Sequence, residues 1–344
     1  MKDYLRIVAA GSSLTTEQAA HAMQIVMNGS AAPEELGGFL MGVTARGATV
    51  DELVGFAGVM REFAVSVECD DPRAVDLCGT GGDGVGTFNV STTAVFVVAG
   101  SGVTVAKHGN RSVSSSCGSA DVLDALGVQT NLRRKGAEHC LRETGIAFIF
   151  APHFHPAMKH VMPVRRALGV RTFFNMLGPL CNPAGVNRQL VGAFSHRAAR
   201  DIAAVLARLG SEHVIAVHSD DGLDEVSVSD ESTLFEFRRG ASHDPVVEER
   251  RFAPEYLGLD RHPLSAINGS TAEENATILR RVLSGERGAH RDIVVANAAH
   301  AIYTAGVAES LEVAKEMACA SIDSGKATRA LEDLRSTSRE APTD

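Results

Sequence analysis

Hydrophobic residues recur at helical spacing through the first 63 residues. Three segments place apolar side chains three or four positions apart, which is the period of a helix with one buried face. Capping boxes begin at Thr15 and Thr49, and Pro33 stands where a further helix would start. The apolar positions are Ala19, Met23, Val26, Met27, Leu36, Phe39, Leu40, Val43, Leu53, Phe56, Met60 and Phe63. The pattern predicts a small all-helical domain over residues 1–69.

The pattern changes near residue 70, where short β-branched runs begin to alternate with helical segments. This alternation is typical of an α/β domain with a mostly parallel central sheet flanked by helices. The predicted strands are AVDLC (74–78), VTVA (103–106), IAFIFA (146–151), HVIAVH (213–218) and STLFEF (232–237), and the predicted helices include 119–126, 135–144 and 271–283. We predict that this α/β domain spans residues 70–344 and ends in a frayed tail over residues 336–344.

Composition and charge exclude several classes of protein. The chain has 344 residues, of which 44% are hydrophobic, and a net charge of −9, whereas nucleic-acid binding requires a basic face. No apolar run approaches the roughly 18 residues that a membrane helix needs. The six cysteines contain no CxxC pair, which favours reduced thiols over disulfides or zinc. We expect a cytoplasmic protein that binds neither nucleic acid nor a membrane.

A glycine-rich segment, GTGGDGVG, follows the first predicted strand; we call residues 79–86 the glycine loop. It formally contains GxGxxG, but a dinucleotide-binding site also needs an acidic residue about 20 positions later. No acidic residue occurs between Asp83 and Asp121, and the basic stretch KHGNR stands there instead. A Walker A loop is excluded as well, because no Lys-Ser or Lys-Thr follows the glycines. The sequence therefore argues against both nucleotide motifs.

The same residues suit the binding of phosphate groups. Backbone N–H groups of the glycine loop can approach an anion, and Asn89, Ser91 and Thr92 lie where the next helix begins, at its positive end. A second stretch, residues 107–115 (the basic loop), follows the next strand and adds a cation and several hydroxyls. Loops at the carboxyl ends of parallel strands lie together. The two loops predict a ligand with two phosphate-bearing groups.

A third candidate is the acidic loop HSDDGLDEVSV, which follows the strand HVIAVH. Asp224 and Glu225, here called the acidic pair, are oxygen ligands of the type that bind Mg²⁺ together with substrate phosphate. Adjacent side chains can serve two ions, or one ion through a turn. A solvated acidic loop is the alternative, and the phosphate loops favour the metal.

Six motifs together resemble the anthranilate phosphoribosyltransferase family. In chain order they are GTGGDG, TFNVST, KHGNRSVSS, GSADVLDALG, FAPHFHPAMKHVMPVRRALGVRTFFNMLGPLCNP and DGLDE, which is also the order in the family. The resemblance extends to about residue 260. The family transfers the phosphoribosyl group of 5-phosphoribosyl 1-pyrophosphate (PRPP) to the amine of anthranilate in tryptophan biosynthesis, with Mg²⁺. Its fold is shared with pyrimidine nucleoside phosphorylases. It is usually a homodimer that forms through the helical domain.

The resemblance implies roles for particular residues, and Lys107, His108, Asn110 and Arg165 are the implied catalytic ones. The implied PRPP site comprises Gly79, Gly82, Asp83, Thr87, Asn89, Val90, Ser91, Thr92, Lys107, His108, Gly109, Asn110, Arg111, Ser112, Val113, Ser114, Ser115 and Ser119. The implied anthranilate site comprises Gly79, His108, Asn110, His155 and Arg165, and the implied metal ligands are Ser91, Asp224 and Glu225. Arg165 suits a carboxylate because guanidinium binds it bidentately, although the pattern leaves Arg166 open.

Mechanism and domain arrangement are also expectations from the resemblance. A segment near residues 166–185 returns to the helical domain, so that anthranilate lies between the domains and PRPP on the larger one. Mg²⁺ and Lys107 offset the charge of the departing pyrophosphate. No general base is evident: His108 could serve, a positioning role suits it equally, and the substrate carboxylate could accept the proton.

Three histidines lie close together in the sequence, and two positions differ from the family motifs. His153, His155 and His160 do not predict zinc, because no nearby cysteine or acid completes a ligand set, and we assign only His155 to the substrate. Cys117 and Asp230–Glu231 depart from the family pattern beside the expected sites. A nucleoside phosphorylase and a non-catalytic sugar-phosphate-binding regulator remain as alternatives.

Overall fold

The computed structural model describes residues 1–82, 84–112, 117–240 and 245–343. The chain begins with four helices: α1 (Lys2–Ala9), α2 (Thr16–Met27), α3 (Pro33–Arg46) and α4 (Val50–Glu62). Both predicted capping boxes are confirmed, since Thr15 and Gln18 exchange hydrogen bonds, as do Thr49 and Glu52. Helix α1 was not predicted, because it is short and buries only Val8.

Glu52 organises the helical region beyond its role as a cap. Its side chain is fully buried, and it accepts hydrogen bonds from the backbone N–H of Leu14 at 3.0 Å and from the Arg46 guanidinium at 2.5 Å. A buried carboxylate is tolerated when its oxygens are paired in this way. Glu52 therefore ties the start of α2, the end of α3 and the start of α4 together.

A seven-stranded sheet forms the centre of the described α/β region, in the order β3-β2-β1-β4-β5-β6-β7. The first five strands in that order are parallel, and β6 and β7 are antiparallel. The strands are β1 (Val75–Gly79), β2 (Val105–Gly109), β3 (Ile146–Phe150), β4 (Arg188–Gly192), β5 (His213–Ser219), β6 (Ser232–Arg238) and β7 (Glu248–Phe252). The predicted fold class, a mostly parallel sheet with flanking helices and a small helical part, is confirmed.

The remaining helices flank the sheet or, in the case of α9 and α10, pack on other helices. They are α5 (Val90–Gly100), α6 (Ser119–Leu126), α7 (Arg134–Thr144), α8 (Ala151–Phe154), α9 (Met162–Leu168), α10 (Phe174–Leu180), α11 (His196–Arg208), α12 (Ala272–Leu283), α13 (Ala289–Ala305), α14 (Leu311–Asp323) and α15 (Lys326–Glu340). The frayed tail was wrong over most of its length, because α15 continues to Glu340 and buries Leu331, Leu334 and Ser338. None of the described helices is long and apolar enough to cross a membrane.

Two strands were missed. Strand β4 has only a short apolar run, and β7 reads EERRF, with four exposed residues before the buried Phe252. Charged residues are typical of a sheet edge, where they discourage pairing with another chain, and they remove the apolar signal of a strand. The sequence pattern alone therefore could not identify β7.

The later helices α9 and α10 lie beside the N-terminal ones. The ring of Phe173, just before α10, stacks on Phe56 with 4.7 Å between centroids and meets Phe39 edge to face. Arg61 of α4 donates to the backbone carbonyl of Leu180 at 2.7 Å. These contacts pack the segment 162–180 against α3 and α4.

Candidate active site

The glycine loop lies against the acidic pair. The backbone N–H of Thr80 donates to the Gly192 carbonyl at 2.9 Å, and that of Gly81 donates to Asp224 Oδ2 at 2.9 Å. A Cβ added at Gly192 would lie 1.5 Å from the backbone oxygen of Asp224. Only glycine at the end of β4 permits this approach. The structure thus brings together two loops that are more than 140 residues apart in sequence.

The start of α5 is bound to the other member of the acidic pair. The backbone N–H of Ser91 donates to Glu225 Oε1 at 3.0 Å, so a carboxylate lies at the positive end of this helix. Thr92 is buried, and its hydroxyl donates to the Ser119 hydroxyl at 3.1 Å. Val90 is buried in the core, and Thr87 pairs with Asn268 through an isolated bridge.

Asn89 precedes α5 without capping it through its side chain. Its side-chain amide donates to the Cys117 carbonyl at 3.2 Å, and its oxygen accepts from Asn275 at 3.0 Å and from the Cys117 thiol at 3.3 Å. Cys117, one of the two departures from the family motifs, therefore participates in hydrogen bonding as a polar residue would. The Asn89 side chain is committed to these neighbours.

Lys107, the first residue of the basic loop, is buried rather than on the surface. We call the glycine loop and the basic loop together the anion loops. The side chain of Lys107 is 3% exposed, and its ammonium donates to the Leu77 carbonyl and to the Ser91 hydroxyl, the latter at 3.4 Å. Its charge lowers the pKa values of both Asp76 and Glu225 against the larger opposing effect of burial. The lysine thus places a positive charge between β1 and the start of α5.

Asp76 is a site residue that the sequence reasoning missed. It is fully buried in β1, where its carboxylate accepts from the backbone N–H of His108 at 3.1 Å and from the Asn182 amide at 2.8 Å. Burial raises its pKa, and Lys107 and these hydrogen bonds oppose that rise. The signal was present, because an acid inside the apolar run AVDLC requires buried partners.

His108 and His155 form a buried pair of neutral imidazoles. Their ring centroids are 5.1 Å apart, and His108 Nδ1 lies 3.2 Å from the Gly178 carbonyl. Neither Nε2 atom has a hydrogen-bond partner among the described residues. Burial lowers the pKa of His108 to about 3 and that of His155 to about 4. Both rings are therefore uncharged at neutral pH, with one nitrogen each available to a ligand.

Helix α10 connects this histidine pair to Arg165. Asn175 accepts from the Arg165 guanidinium at 3.3 Å, and one turn later the Gly178 carbonyl faces His108. Residues three apart lie on the same side of a helix. Arg165 is half-buried, which lowers its pKa, whereas Arg166 is exposed. The geometry therefore favours Arg165 over Arg166 as the residue directed towards the interior.

Arg111 of the basic loop is paired with acidic side chains, whereas the resemblance placed it in the PRPP site. The Arg111 guanidinium forms ion pairs with Asp121 at 2.9 Å and Asp124 at 2.5 Å, which neutralise it. The backbone N–H of Ser112 donates to Asp121 at 3.1 Å, and the exposed Asn110 accepts from the Arg111 N–H at 2.8 Å. Asp83, Val113, Ser114 and Ser115, which the resemblance places in the PRPP site, lie outside the described residues.

The other residues that the sequence analysis singled out are in close packing, hydrogen-bonded, ion-paired or exposed. A Cβ at Gly109 would lie 2.5 Å from the Phe148 ring, and the Gly82 carbonyl accepts a hydrogen bond from Arg171. His160 is exposed, and His153 is half-buried with its ring against Phe150. Asp230 and Glu231, the second departure, form ion pairs with Arg261 and Arg251 in an exposed network.

The acidic pair fits a divalent cation. Burial and the neighbouring charge of Asp224 raise the pKa of Glu225 to about 8, against the lowering effect of Lys107, and a divalent cation would offset both raising effects. No three His, Cys, Asp or Glu residues among those described form a metal-binding group. Mg²⁺ commonly binds one or two carboxylates and completes its shell with water and substrate phosphate. The donor set therefore suits Mg²⁺ brought together with a phosphate ligand.

A cavity of about 620 Å³ lies elsewhere, and its position separates it from this site. It is lined by Glu236 and Arg238 of β6, which pair with the amino-terminal half of β5, whereas the acidic pair follows the carboxyl end of β5. Of its arginines, Arg250 forms ion pairs with Glu236 and Glu248. None of the residues that line the cavity belongs to the described parts of the glycine loop or the basic loop.

Comparisons with known proteins agree with this arrangement. A glycosyl transferase family matches twice, through its helical bundle domain at residues 2–64 and its a/b domain at residues 71–328. An anthranilate phosphoribosyltransferase from Salinibacter ruber is 56% identical over the full length of both chains. The crystal structure of the Thermus thermophilus enzyme of that name has a TM-score of 0.90 at 40% identity, covering 98% of this chain and 99% of that one.

A more distant solved structure has the same fold. Anthranilate phosphoribosyltransferase from Saccharomyces cerevisiae, in complex with PRPP and Mg, has a TM-score of 0.88 at 27% identity and covers 98% of this chain and 97% of that one. The two matched domains define a glycosyl transferase. The chain belongs to the anthranilate phosphoribosyltransferase family. The predicted family, fold class and enzyme class are confirmed.

The neutral state of His155 predicts a pH dependence of stability. The unfolded chain protonates this histidine near pH 6.5, whereas the folded protein does so only near pH 4. The contribution of the neutral His155 to the free energy of unfolding is complete above pH 6.5. It is lost as pH falls, by roughly 2 kcal/mol between pH 7 and 5. We expect the melting temperature of His155→Gln to fall less over this interval than that of the wild type. The exposed His160→Gln is the control, and equal losses in all three proteins would show that His155 is charged at pH 5.

Proposed function

We propose that this protein transfers the phosphoribosyl group of PRPP to the amine of anthranilate and releases pyrophosphate, with Mg²⁺ as the cofactor. The observation that carries the proposal is the acidic pair: Asp224 binds the glycine loop through Gly81, and Glu225 binds the start of α5 through Ser91. One carboxylate pair thus lies against both the glycine loop and the start of α5. The named function of its full-length relatives supports the same reaction.

On the PRPP side, the protein supplies backbone donors and a buried cation. In the reaction the bond from ribose C1 to the pyrophosphate oxygen breaks, and the pyrophosphate carries away the electron pair. Lys107, held by Leu77 and Ser91, adds positive charge beneath the place where that negative charge develops. Asp224, Glu225 and Ser91 would hold Mg²⁺. When bound, the metal would neutralise part of the charge on the leaving group.

We assign the PRPP site to the residues that the motifs indicated. They are Gly79, Gly82, Asp83, Thr87, Asn89, Val90, Ser91, Thr92, Lys107, His108, Gly109, Asn110, Arg111, Ser112, Val113, Ser114, Ser115 and Ser119. Within this set, the ion pairs of Arg111 with Asp121 and Asp124 favour a role in shaping the basic loop over a direct contact with phosphate. Val90 acts through packing, since it is buried in the core.

On the acceptor side, we assign anthranilate to Gly79, Asn110, His108, His155 and Arg165. The aniline nitrogen attacks C1 as the bond from C1 to pyrophosphate breaks, and the nitrogen then gives up a proton, which the substrate carboxylate or His108 accepts. A neutral imidazole can accept a hydrogen bond from an N–H group, and the free Nε2 atoms of His108 and His155 have this capacity. Arg165 would hold the carboxylate. Burial of the histidines limits water, which would otherwise compete for the electrophilic C1.

Assembly, location and domain division complete the proposal. We infer a homodimer that forms through the helical domain, in the cytoplasm, from the family resemblance of the sequence. We keep the division into a helical domain of residues 1–69, with a returning segment near residues 166–185, and an α/β domain of residues 70–344. The contact of Phe173 with Phe56 supports that returning segment.

The reaction is tested by mixing purified protein with anthranilate, PRPP and Mg²⁺. We expect the fluorescence of anthranilate to disappear only when all components are present. Parallel reactions with uridine or thymidine and inorganic phosphate test the nucleoside phosphorylase alternative, and calorimetry with PRPP tests a regulator that binds without turnover. Folded protein that leaves anthranilate unchanged contradicts the proposed function.

Arg165→Ala should weaken anthranilate binding. The variant removes a charge-assisted contact with a carboxylate, which corresponds to about a 10- to 100-fold rise in the KM for anthranilate. We expect the KM for PRPP to change much less. Arg166→Ala is the matched control, because it removes the same side chain from the exposed neighbouring position. A larger effect of Arg166→Ala, or equal effects on both substrates, would reassign the carboxylate contact.

The double variant Asp224→Asn/Glu225→Gln should need more Mg²⁺ for activity. It keeps the size and hydrogen-bonding capacity of the acidic pair but removes two charges from the metal shell, so higher Mg²⁺ refills the weakened site by mass action. We expect the midpoint of an activity titration with Mg²⁺ to move to a higher concentration.

The control for this titration is Asp230→Asn/Glu231→Gln, which removes the same two residue types from a nearby exposed ion-pair network. Exposed ion pairs contribute little to stability, so this control should keep the wild-type midpoint. An unchanged midpoint and rate in the Asp224/Glu225 variant would remove the acidic pair from the mechanism.

A further inference from the structure

Arg171 joins the segment between α9 and α10 to the glycine loop. Its side chain is exposed, yet the guanidinium makes two specific contacts across the site. One terminal nitrogen donates a hydrogen bond to the carbonyl of Gly82, and the guanidinium carbon lies 4.4 Å from the centroid of the Phe194 ring. Neither contact is local in sequence: Gly82 is 89 residues away from Arg171, and Phe194 lies beyond α10 and β4. None of the motif assignments used this residue.

Phe194 is itself fixed to the base of the glycine loop. Its backbone N–H donates to the Thr80 hydroxyl at 3.0 Å, and the Thr80 N–H donates in turn to the Gly192 carbonyl at 2.9 Å. The end of β4 therefore holds the loop through Thr80. Arg171, whose guanidinium lies over the Phe194 ring, contacts the same loop through Gly82.

The loop needs such external contacts because of its glycines. Gly81 and Gly82 have φ values of 66° and 75°, a region that glycine enters freely but does not prefer over its other conformations. Side-chain contacts are absent by definition from these residues, so their conformation is selected by backbone partners. Within the described part of the loop, those partners are Asp224 for Gly81 and Arg171 for Gly82.

The chemistry of arginine suits both contacts at once. A planar guanidinium can lie flat on an aromatic ring while its N–H groups donate hydrogen bonds in the plane, which the ammonium of lysine does not do. Arg165, which the proposed function assigns to the anthranilate carboxylate, lies on α9, the helix that precedes this segment.

We propose that Arg171 is a positioning residue that holds the glycine loop in the conformation that binds the pyrophosphate group of PRPP, through its contact with Gly82 and its stacking on Phe194. The proposal rests on the proposed function for the identity of the ligand. Arg171 acts from the segment that packs on the helical domain, so the affinity for PRPP depends on the contact between that segment and the α/β domain.

The test compares Arg171→Ala, Arg171→Lys and Phe194→Leu with the wild-type chain. We expect Arg171→Ala to raise the KM for PRPP about tenfold and to weaken the binding of magnesium pyrophosphate, measured by calorimetry, by a similar factor. The KM for anthranilate and kcat should stay within about twofold. Arg171→Lys should recover only part of the loss, because it restores the charge without the planar stack. Arg197→Ala, an exposed arginine just beyond Phe194, is the control and should behave as the wild type.

A double-mutant cycle separates positioning from direct contact with the ligand. If Arg171 acts through Phe194, then Phe194→Leu raises the KM for PRPP by itself, and the double variant is scarcely worse than Arg171→Ala. Additive effects, or no effect of Phe194→Leu, would overturn the proposal and assign Arg171 to a direct contact with phosphate. Unchanged pyrophosphate binding in Arg171→Ala would also overturn it. A wild-type protein that binds magnesium pyrophosphate but leaves anthranilate unchanged would overturn the proposed function alone.

Discussion

The buried charges of Asp76 and Lys107 are the constraint on which the site depends. Asp76 is inside the central strand β1, and a buried carboxylate without partners would be strongly destabilising. Its oxygens accept from the His108 backbone and from Asn182, while Lys107 supplies the opposing charge. Because β2 carries both Lys107 and His108, satisfying Asp76 also fixes the register of β2 against β1. The residue that stabilises the strand pair is therefore also the one that positions the ammonium beneath the anion loops.

The two halves of the site differ in how they treat charge. On the phosphate side, Lys107 and Glu225 are ionisable groups close to each other, and the helix terminus of α5 adds backbone donors. On the side that we propose for anthranilate, burial keeps His108 and His155 uncharged, and Arg165 is the cation that we propose for the carboxylate. A reaction that develops negative charge on one substrate and needs an unprotonated amine on the other suits such a division.

Much of the fold could be predicted because local signals and tertiary structure agree. The capping boxes at Thr15 and Thr49 are local hydrogen bonds, and their helices begin where the sequence places them. Strand β7 was missed for the opposite reason. Its charged residues suit the edge of the sheet, and its position at the edge depends on the tertiary fold rather than on the local sequence. Likewise, spacing could not reveal that Arg111 is neutralised by Asp121 and Asp124, nor that Arg165 rather than its neighbour is half-buried. Those facts depend on helix orientation and on which side chains meet across the fold.

The glycine loop and the acidic pair are best understood as one unit. Asp224 Oδ2, a proposed ligand of Mg²⁺, already accepts the Gly81 N–H, and the backbone of Asp224 approaches β4 so closely that position 192 must be glycine. Any change in the charge around Asp224 therefore acts directly on the backbone donor that the loop offers. Metal binding and loop conformation share an atom, so their energies are coupled without any intervening movement. This coupling gives a physical reason for PRPP and Mg²⁺ to bind as a pair, because each completes the surroundings that the other requires.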